Sequence, residues 1–466
     1  MYGKGGVKIG RIGAIAKSKY FKYKVFMFVY WAAVLSIAGM YTMYIAEIGF
    51  SKEEISFTVT MFILSAIIGQ NLFGYLADRF NCIKKILIFA FGVGIIWVIA
   101  LSFFNQKWFV ILSFSFLGLI VHGTVPLSEA WYIGVLRDNG DQNEFGKIRG
   151  TGSIGYGISG ILLGCLLQYI GWSTYKWYIM FSFGILLAVI SLIPESKKVA
   201  FYRRNGAANK EHNEQKGQKK DKEYKEHAEG TDNLKISFIE AFKLAFKIKP
   251  LRVIVATIFI YSFVIKGIYS YLGVLVSDFG GGPLSLGFAY FFDASPEIVT
   301  FILTSRLLSK YRSKDLIFAA FIMQIIRLSL ILIFNSSLAI ILLGPISGFA
   351  YGLLATAYKT YIYEVAPSKY KVSCLSLCES LIGFSGVISA PVFGLLIIKL
   401  SGYFSILIGL GIYIMMTLIL ANDKRKEKIQ ELKTQQKEMQ KEEIQQEQIQ
   451  QVKKQQEEWK EKELCT

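Results

Sequence analysis

Glu129 and Arg149 are the two residues of this chain whose type and position speak most directly of chemistry. Pro126-Leu127-Ser128-Glu129-Ala130-Trp131 places a carboxylate inside a long apolar run, roughly eight residues or about 12 Å from the nearer end of its helix. With Asp141 or Asn143 as the cap of the next apolar helix, Arg149 lies at similar depth on the antiparallel neighbour. An unpaired charge at such depth costs several kcal/mol. Each is therefore the other's natural partner, joined by the forked bond a carboxylate makes with a guanidinium. Tyr156 follows Arg149 by seven positions and shares its face, offering an aromatic surface beside the ion pair. His122 stands seven positions before Glu129, where it can hydrogen-bond a solute, titrate, or serve as a satisfied structural residue.

A second set lies in the C-terminal half. Asp293 and Glu297 are one turn apart in an apolar run, and like charges that close in low dielectric push one proton affinity upward. Arg327, Lys266 and Lys359 are the cations available to them, and Glu379 is a further acid inside a span. Ionisable groups within a membrane are functional candidates by default. Asp293 and Glu297, with Arg327 and Lys359, are thus the proton-coupling candidates, against a structural role for the acids with Arg327.

Other chemistries are not encoded. Cys82, Cys165, Cys374, Cys378 and Cys465 are odd in number and lack metal-ligand spacing, so no metal site or disulfide framework is expected. Gly155-x-Gly157-x-x-Gly160 matches a dinucleotide fingerprint on paper, but it sits inside an apolar span with no preceding strand. Close helix packing is its expected use. No loop ends in Gly-Lys-Ser or Gly-Lys-Thr, and no nucleophile and base sit with an orienter. The expectation is therefore no enzyme, no catalytic residue and no cofactor, with transport driven by an ion or substrate gradient.

The elements that must hold these residues are membrane helices. The 466 residues are 53% hydrophobic, and apolar runs of the roughly 20 residues a bilayer core requires recur from Val25 to Leu420. The expected spans are 25–48, 54–77, 83–104, 108–136, 143–168, 175–194, 251–276, 284–308, 315–335, 337–364, 371–399 and 402–421. The formal net charge of +18 lies in alternate loops, among them Lys17 to Lys24, Arg79 with Lys84 and Lys85, and Lys310 with Arg312 and Lys314. That distribution makes the charge topological rather than a nucleic-acid footprint and places both termini in the cytoplasm.

The fold class is an all-α membrane protein of twelve helices in two six-helix bundles, 25–194 and 251–421. A basic N-terminus, 1–24, precedes them. A polar cytoplasmic loop, 195–250, separates them and carries a short amphipathic helix on Ile236, Phe238, Ile239, Ala241, Phe242, Leu244 and Ala245. A Lys-, Glu- and Gln-rich helical tail, 422–466, follows, its apolar spacing leaving a coiled coil and a solvated helix both open.

Gly74-Tyr75-Leu76-Ala77-Asp78-Arg79-Phe80-Asn81-Cys82-Ile83-Lys84-Lys85, between the second and third spans, resembles the signature loop of the major facilitator superfamily, with Asn81 where a Gly is usual. In it Gly74 allows close helix approach, Asp78 pairs or caps, and Arg79, Lys84 and Lys85 anchor the cytoplasmic face as a gate. A worn counterpart, Leu307-Leu308-Ser309-Lys310-Tyr311, follows the eighth span, as in an internal repeat. Ser128 to Trp131, Phe145 to Arg149 and Gly152 to Tyr156 are similar to the same stretch of the lactose-permease type of oligosaccharide:proton symporter, and nucleoside:proton symporters carry a similar start to the fifth span.

That resemblance implies sugar-binding roles for Glu129, Arg149 and Tyr156, the Tyr standing where the permeases have Trp. It does not extend to the permeases' own coupling residues, which fall on Ile346 and Phe349. The reading is a secondary transporter of a small polar solute, a sugar or oligosaccharide, working by alternating access with proton symport. It is a multi-pass protein of a prokaryotic plasma membrane whose partners are solute, protons and lipid, with a tail for a cytoplasmic partner or for itself. A nucleoside:proton symporter, a proton-coupled exporter of drugs or metabolites, and a membrane sensor or scaffold acting through the tail are the alternatives.

Overall fold

The computed structural model describes residues 19–80, 82–104, 106–141, 144–194, 243, 247–367 and 370–464. The segment expected to form an amphipathic helix, Ile236 to Ala245, lies outside them apart from Lys243. The described elements are helical throughout. Among the described residues eleven helical segments are long and apolar enough to cross a membrane, and the remaining expected crossing, the eighth, is interrupted.

Several of these crossings consist of two helices in line. In the first half α1 (Phe21–Ala38) and α2 (Tyr41–Glu47) make the first, and α3 (Lys52–Phe80) and α4 (Ile83–Phe103) are the second and third. The fourth is α5 (Lys107–Gly123) and α6 (Val125–Asn139), followed by α7 (Phe145–Tyr169) and α8 (Tyr175–Leu192). In the second half α9 (Lys249–Ser270) and α10 (Leu272–Asp278) make the seventh, α11 (Pro283–Ala294) and α12 (Glu297–Leu308) the eighth, and α13 (Ser313–Phe334) the ninth. α14 (Ser337–Leu342) and α15 (Gly344–Val365) make the tenth, and α16 (Lys371–Lys399) the eleventh. The last helix, α17, runs without interruption over Gly402–Leu464. The described residues up to Tyr413 form one compact unit and those from Ile414 onward a second.

The interruptions repeat between the halves. The first and seventh crossings break near their ends, and the fourth and tenth break before a proline in the first turn of α6 and of α15. Proline is tolerated there because its missing N–H is one the helix start leaves unpaired.

The halves meet closely at the end remote from the basic loops. α7 lies along α11 with bare backbone on both sides: a Cβ added at Gly287 would sit 2.2 Å from the Gly160 carbonyl oxygen, and one at Gly164 would sit 2.7 Å from that of Pro283. Glycine is required at this approach, the packing expected of the Gly155 to Gly160 run. Tyr271 donates to Ser56 Oγ at 3.1 Å and Tyr290 donates to the Gly39 carbonyl at 3.1 Å, both joining the halves.

At the basic end the start of α7 is fixed by charge. Asp141 accepts from Tyr20 and from Lys19, the latter at 3.0 Å, and Glu144 faces Lys24 at 3.5 Å and Lys147. Asp141 therefore does not cap α7, as its position in sequence suggests; the residue at the cap is Glu144, whose side chain is turned to the lysines instead. Hydrogen bonds from Tyr20 and Lys19 hold the Asp141 carboxyl below its ordinary value of 3.8.

Two outcomes follow. Gly287→Ala will lower the unfolding midpoint, by about 1–3 kcal/mol of overpacking, whereas Gly146→Ala, where a Cβ meets open space, will not. Asp141→Asn will be less stable than the parent at neutral pH. Because the folded carboxyl is the stronger acid, that difference is complete above the unfolded value near 3.9 and disappears as pH falls through the folded one, which unfolding midpoints measured against pH will show.

Candidate functional site

A cavity of about 410 Å³ lies between α1 and α7 of the first half and α9, α11, α15 and α16 of the second. On the first side its polar head is Arg149. Arg149 Nε lies 3.2 Å from Glu129 Oε1, and the two side chains are 21% and 32% exposed. The sequence-predicted pair is thus brought together, with Arg149 on the cavity wall and Glu129 behind it. The guanidinium carbon stands 4.5 Å over the ring of Trp31 on α1, within cation–π range. Tyr156 packs edge-on against Trp31 at 6.1 Å and against Tyr290 at 5.6 Å.

Trp31 is the functional candidate that sequence reasoning misses. Its room is made by Gly152, where an added Cβ would stand 2.4 Å from Trp31 Cδ1. A tryptophan in an apolar run reads as lipid-facing or core, and no spacing in the sequence links it to position 152. His122 packs edge-on against Phe62 at 5.5 Å and is not itself on the cavity wall.

On the second side the wall carries Lys266, Asp293, Lys359 and Glu379 among tyrosines. Asp293 lies just before the interruption of the eighth crossing, where Pro296 removes a ladder donor and Ser295 Oγ instead donates to the Phe292 carbonyl at 3.1 Å. A Cβ at Gly348 would stand 2.0 Å from the Asp293 carbonyl oxygen, so α11 and α15 touch backbone to backbone there. The side chain of Glu297 lies outside the described residues.

Arg327 is 2% exposed on α13, and among the described residues its Nε and Nη1 have no hydrogen-bond acceptor. One turn earlier Gln324 Nε2 donates to Tyr261 at 2.9 Å and to Ser347 at 3.4 Å. Lys359 pairs with Glu379 at 3.0 Å, and Tyr358 donates to the same carboxylate at 2.6 Å. Lys266 donates to the Ile382 carbonyl at 2.6 Å. Lys359 and Glu379 are each 49% exposed, so the cavity communicates with solvent on the basic side.

The loop at that end is built differently from expectation at one point. A Cβ at Gly74 would meet open space, so this glycine sits in no close helix approach in this conformation. Arg79 donates to the Tyr75 hydroxyl at 3.0 Å and lies 5.8 Å from the Phe80 ring centroid. Lys84 donates to the Ser191 and Ile193 carbonyls, both at 2.8 Å, satisfying the end of α8. Asp78 and Lys85 are exposed.

A double-mutant cycle of Glu129→Gln and Arg149→Met in unfolding experiments will return a coupling energy of about 1 kcal/mol, modest because both side chains are partly solvated.

Comparison with known proteins agrees with this architecture. The profile of the MFS_1 like family matches residues 20–406. Among solved structures, the crystal structure of the nucleoside transporter NupG is similar at a TM-score of 0.67 and 14% identity, over 86% of this chain and 98% of that one. A point mutant of the same transporter gives 0.67 and 13% over the same shares. At these identities the likeness is one of fold. No curated protein matches the chain by sequence.

Proposed function

We propose that this chain, which belongs to the MFS_1 like family of major facilitator transporters, carries a sugar or oligosaccharide across the membrane by alternating access. The observation that carries the reading is the Arg149 head, held by Glu129 and laid over Trp31, at the wall of a cavity between the halves. A charge-assisted donor beside an aromatic face is what a hydroxylated ring calls for: directional bonds to its hydroxyls and a flat surface for its C–H face. Tyr156 supports the Trp31 ring from the side, a positioning role.

The cavity is closed by glycine packing at one end and communicates with solvent at the basic end. With the basic loops and both termini on the cytoplasmic side of a prokaryotic plasma membrane, this is the inward-open state. The loop from Gly74 to Lys85 is then the inner gate, Arg79 and Lys84 being its anchors. Asp293, on the cavity wall beside an interrupted helix, is the residue proposed to exchange the coupling proton, with Arg327 as the buried cation of the same half. A nucleoside is the second reading. Its support is the tyrosine-rich wall, able to stack a base, and the likeness in fold to a transporter described as moving nucleosides.

Binding of a panel of sugars and nucleosides to the purified protein tests the site. Glu129→Gln and Arg149→Lys will each weaken the bound ligand by about ten- to a hundredfold, the loss of a hydrogen bond to a charged group. Unaltered binding and transport of every ligand by both variants would overturn the proposal. In vesicles, Asp293→Asn will retain solute counterflow and lose the extra accumulation driven by an imposed pH gradient.

A further inference from the structure

We propose a second solute subsite in the C-terminal half of the cavity, built on Glu379, Lys266 and Tyr358, that takes the far ring of an elongated two-ring solute. It rests on the reading of Arg149 and Glu129 as the first subsite and extends it to the size and shape of the ligand.

The geometry of the acceptor comes first. Tyr358 and Lys359 both reach Glu379 at one oxygen, Oε1, at 2.6 and 3.0 Å. An ionised carboxylate offers about four acceptor positions, so these two donors fix the group without exhausting it. Lys266 supplies the donor. Its ammonium is held by the Ile382 carbonyl at 2.6 Å, which uses one of three N–H groups.

The stem of Lys266 is seated as well as its head. A Cβ at Gly386 would stand 3.1 Å from Lys266 Cδ and 3.6 Å from Nζ, so the lysine lies along the bare backbone of α16. Glu379, Ile382 and Gly386 succeed one another at helical spacing on that helix. A fixed acceptor and a fixed donor, placed on the cavity wall between the levels of Glu379 and Gly386 on α16, complement two hydroxyls of one ring, each of which both donates and accepts. Tyr351 and Tyr358 add aromatic wall beside them.

The arrangement repeats the first subsite with signs exchanged. The fourth and fifth crossings hold Glu129 with Arg149, and the tenth and eleventh hold Lys359 with Glu379. Arg149 of the first pair and both members of the second line one cavity of about 410 Å³, a volume within the ~300–1,000 Å³ of pockets that enclose drug-sized ligands. A solute with a hydroxylated ring at each end, or a hydroxylated ring joined to a polar base, engages both halves at once. Such a ligand couples its own binding to the approach of the halves.

The test uses the full-length protein in lipid nanodiscs and equilibrium binding of galactose, lactose and uridine. The expected result is that lactose or uridine binds at least about tenfold more tightly than galactose, and that Glu379→Gln and Lys266→Gln each remove that advantage while leaving galactose binding in place. A two-ring to one-ring ratio unchanged in both variants, through no loss or through equal loss, overturns the second subsite. Glu129→Gln is the separate control. If it alters none of the three ligands the first subsite is wrong, whatever Glu379→Gln does.

Discussion

A charge placed among apolar helices must be held by another charge or by fixed dipoles, and the interior of this protein is organised by that requirement. Arg149 faces Glu129, Lys359 faces Glu379, and Lys266 is drawn to a backbone carbonyl. A structural ion pair in low dielectric gives little net stability, because the desolvation of both partners opposes their attraction. Pairs on a cavity wall differ in one respect: solvent or solute can reach them, so their hydrogen-bonding capacity is available to a ligand.

Closure depends on the opposite kind of contact. Where α7 meets α11 at Gly160, Gly164 and Gly287, glycines bring carbonyl oxygens against neighbouring backbone. Van der Waals packing of this sort is short in range and forfeits its energy within an ångström of separation. Polar groups define the cavity, and small residues define the seam that seals one end of it.

Much of this was legible in sequence, for reasons that can be named. Apolar runs of membrane length announce helices, and the cost of burying Glu129 or Arg149 alone makes them partners across twenty residues of chain. Other features depend on neighbours that sequence spacing does not identify. Gly74 stands in a motif but touches nothing, whereas Gly287 stands in none and touches the opposite half. Lys359 had several acids within its half to choose from, and only the folded chain brings it to Glu379. Asp141 has the composition of a helix cap, but Tyr20 and Lys19 outcompete the helix for it. The broken crossings look continuous in sequence because a proline or glycine within an apolar run does not say whether a helix bends, stops or restarts.

The platform under Arg149 is made by an absence. Trp31 lies where a side chain at position 152 would be, 2.4 Å from the nearest atom of the indole. Any residue larger than glycine at 152 evicts the indole and with it the surface beneath the guanidinium. Positions 31 and 152 are therefore one steric unit: enlarging the second requires shrinking the first, and the guanidinium then loses the flat ring it lies over.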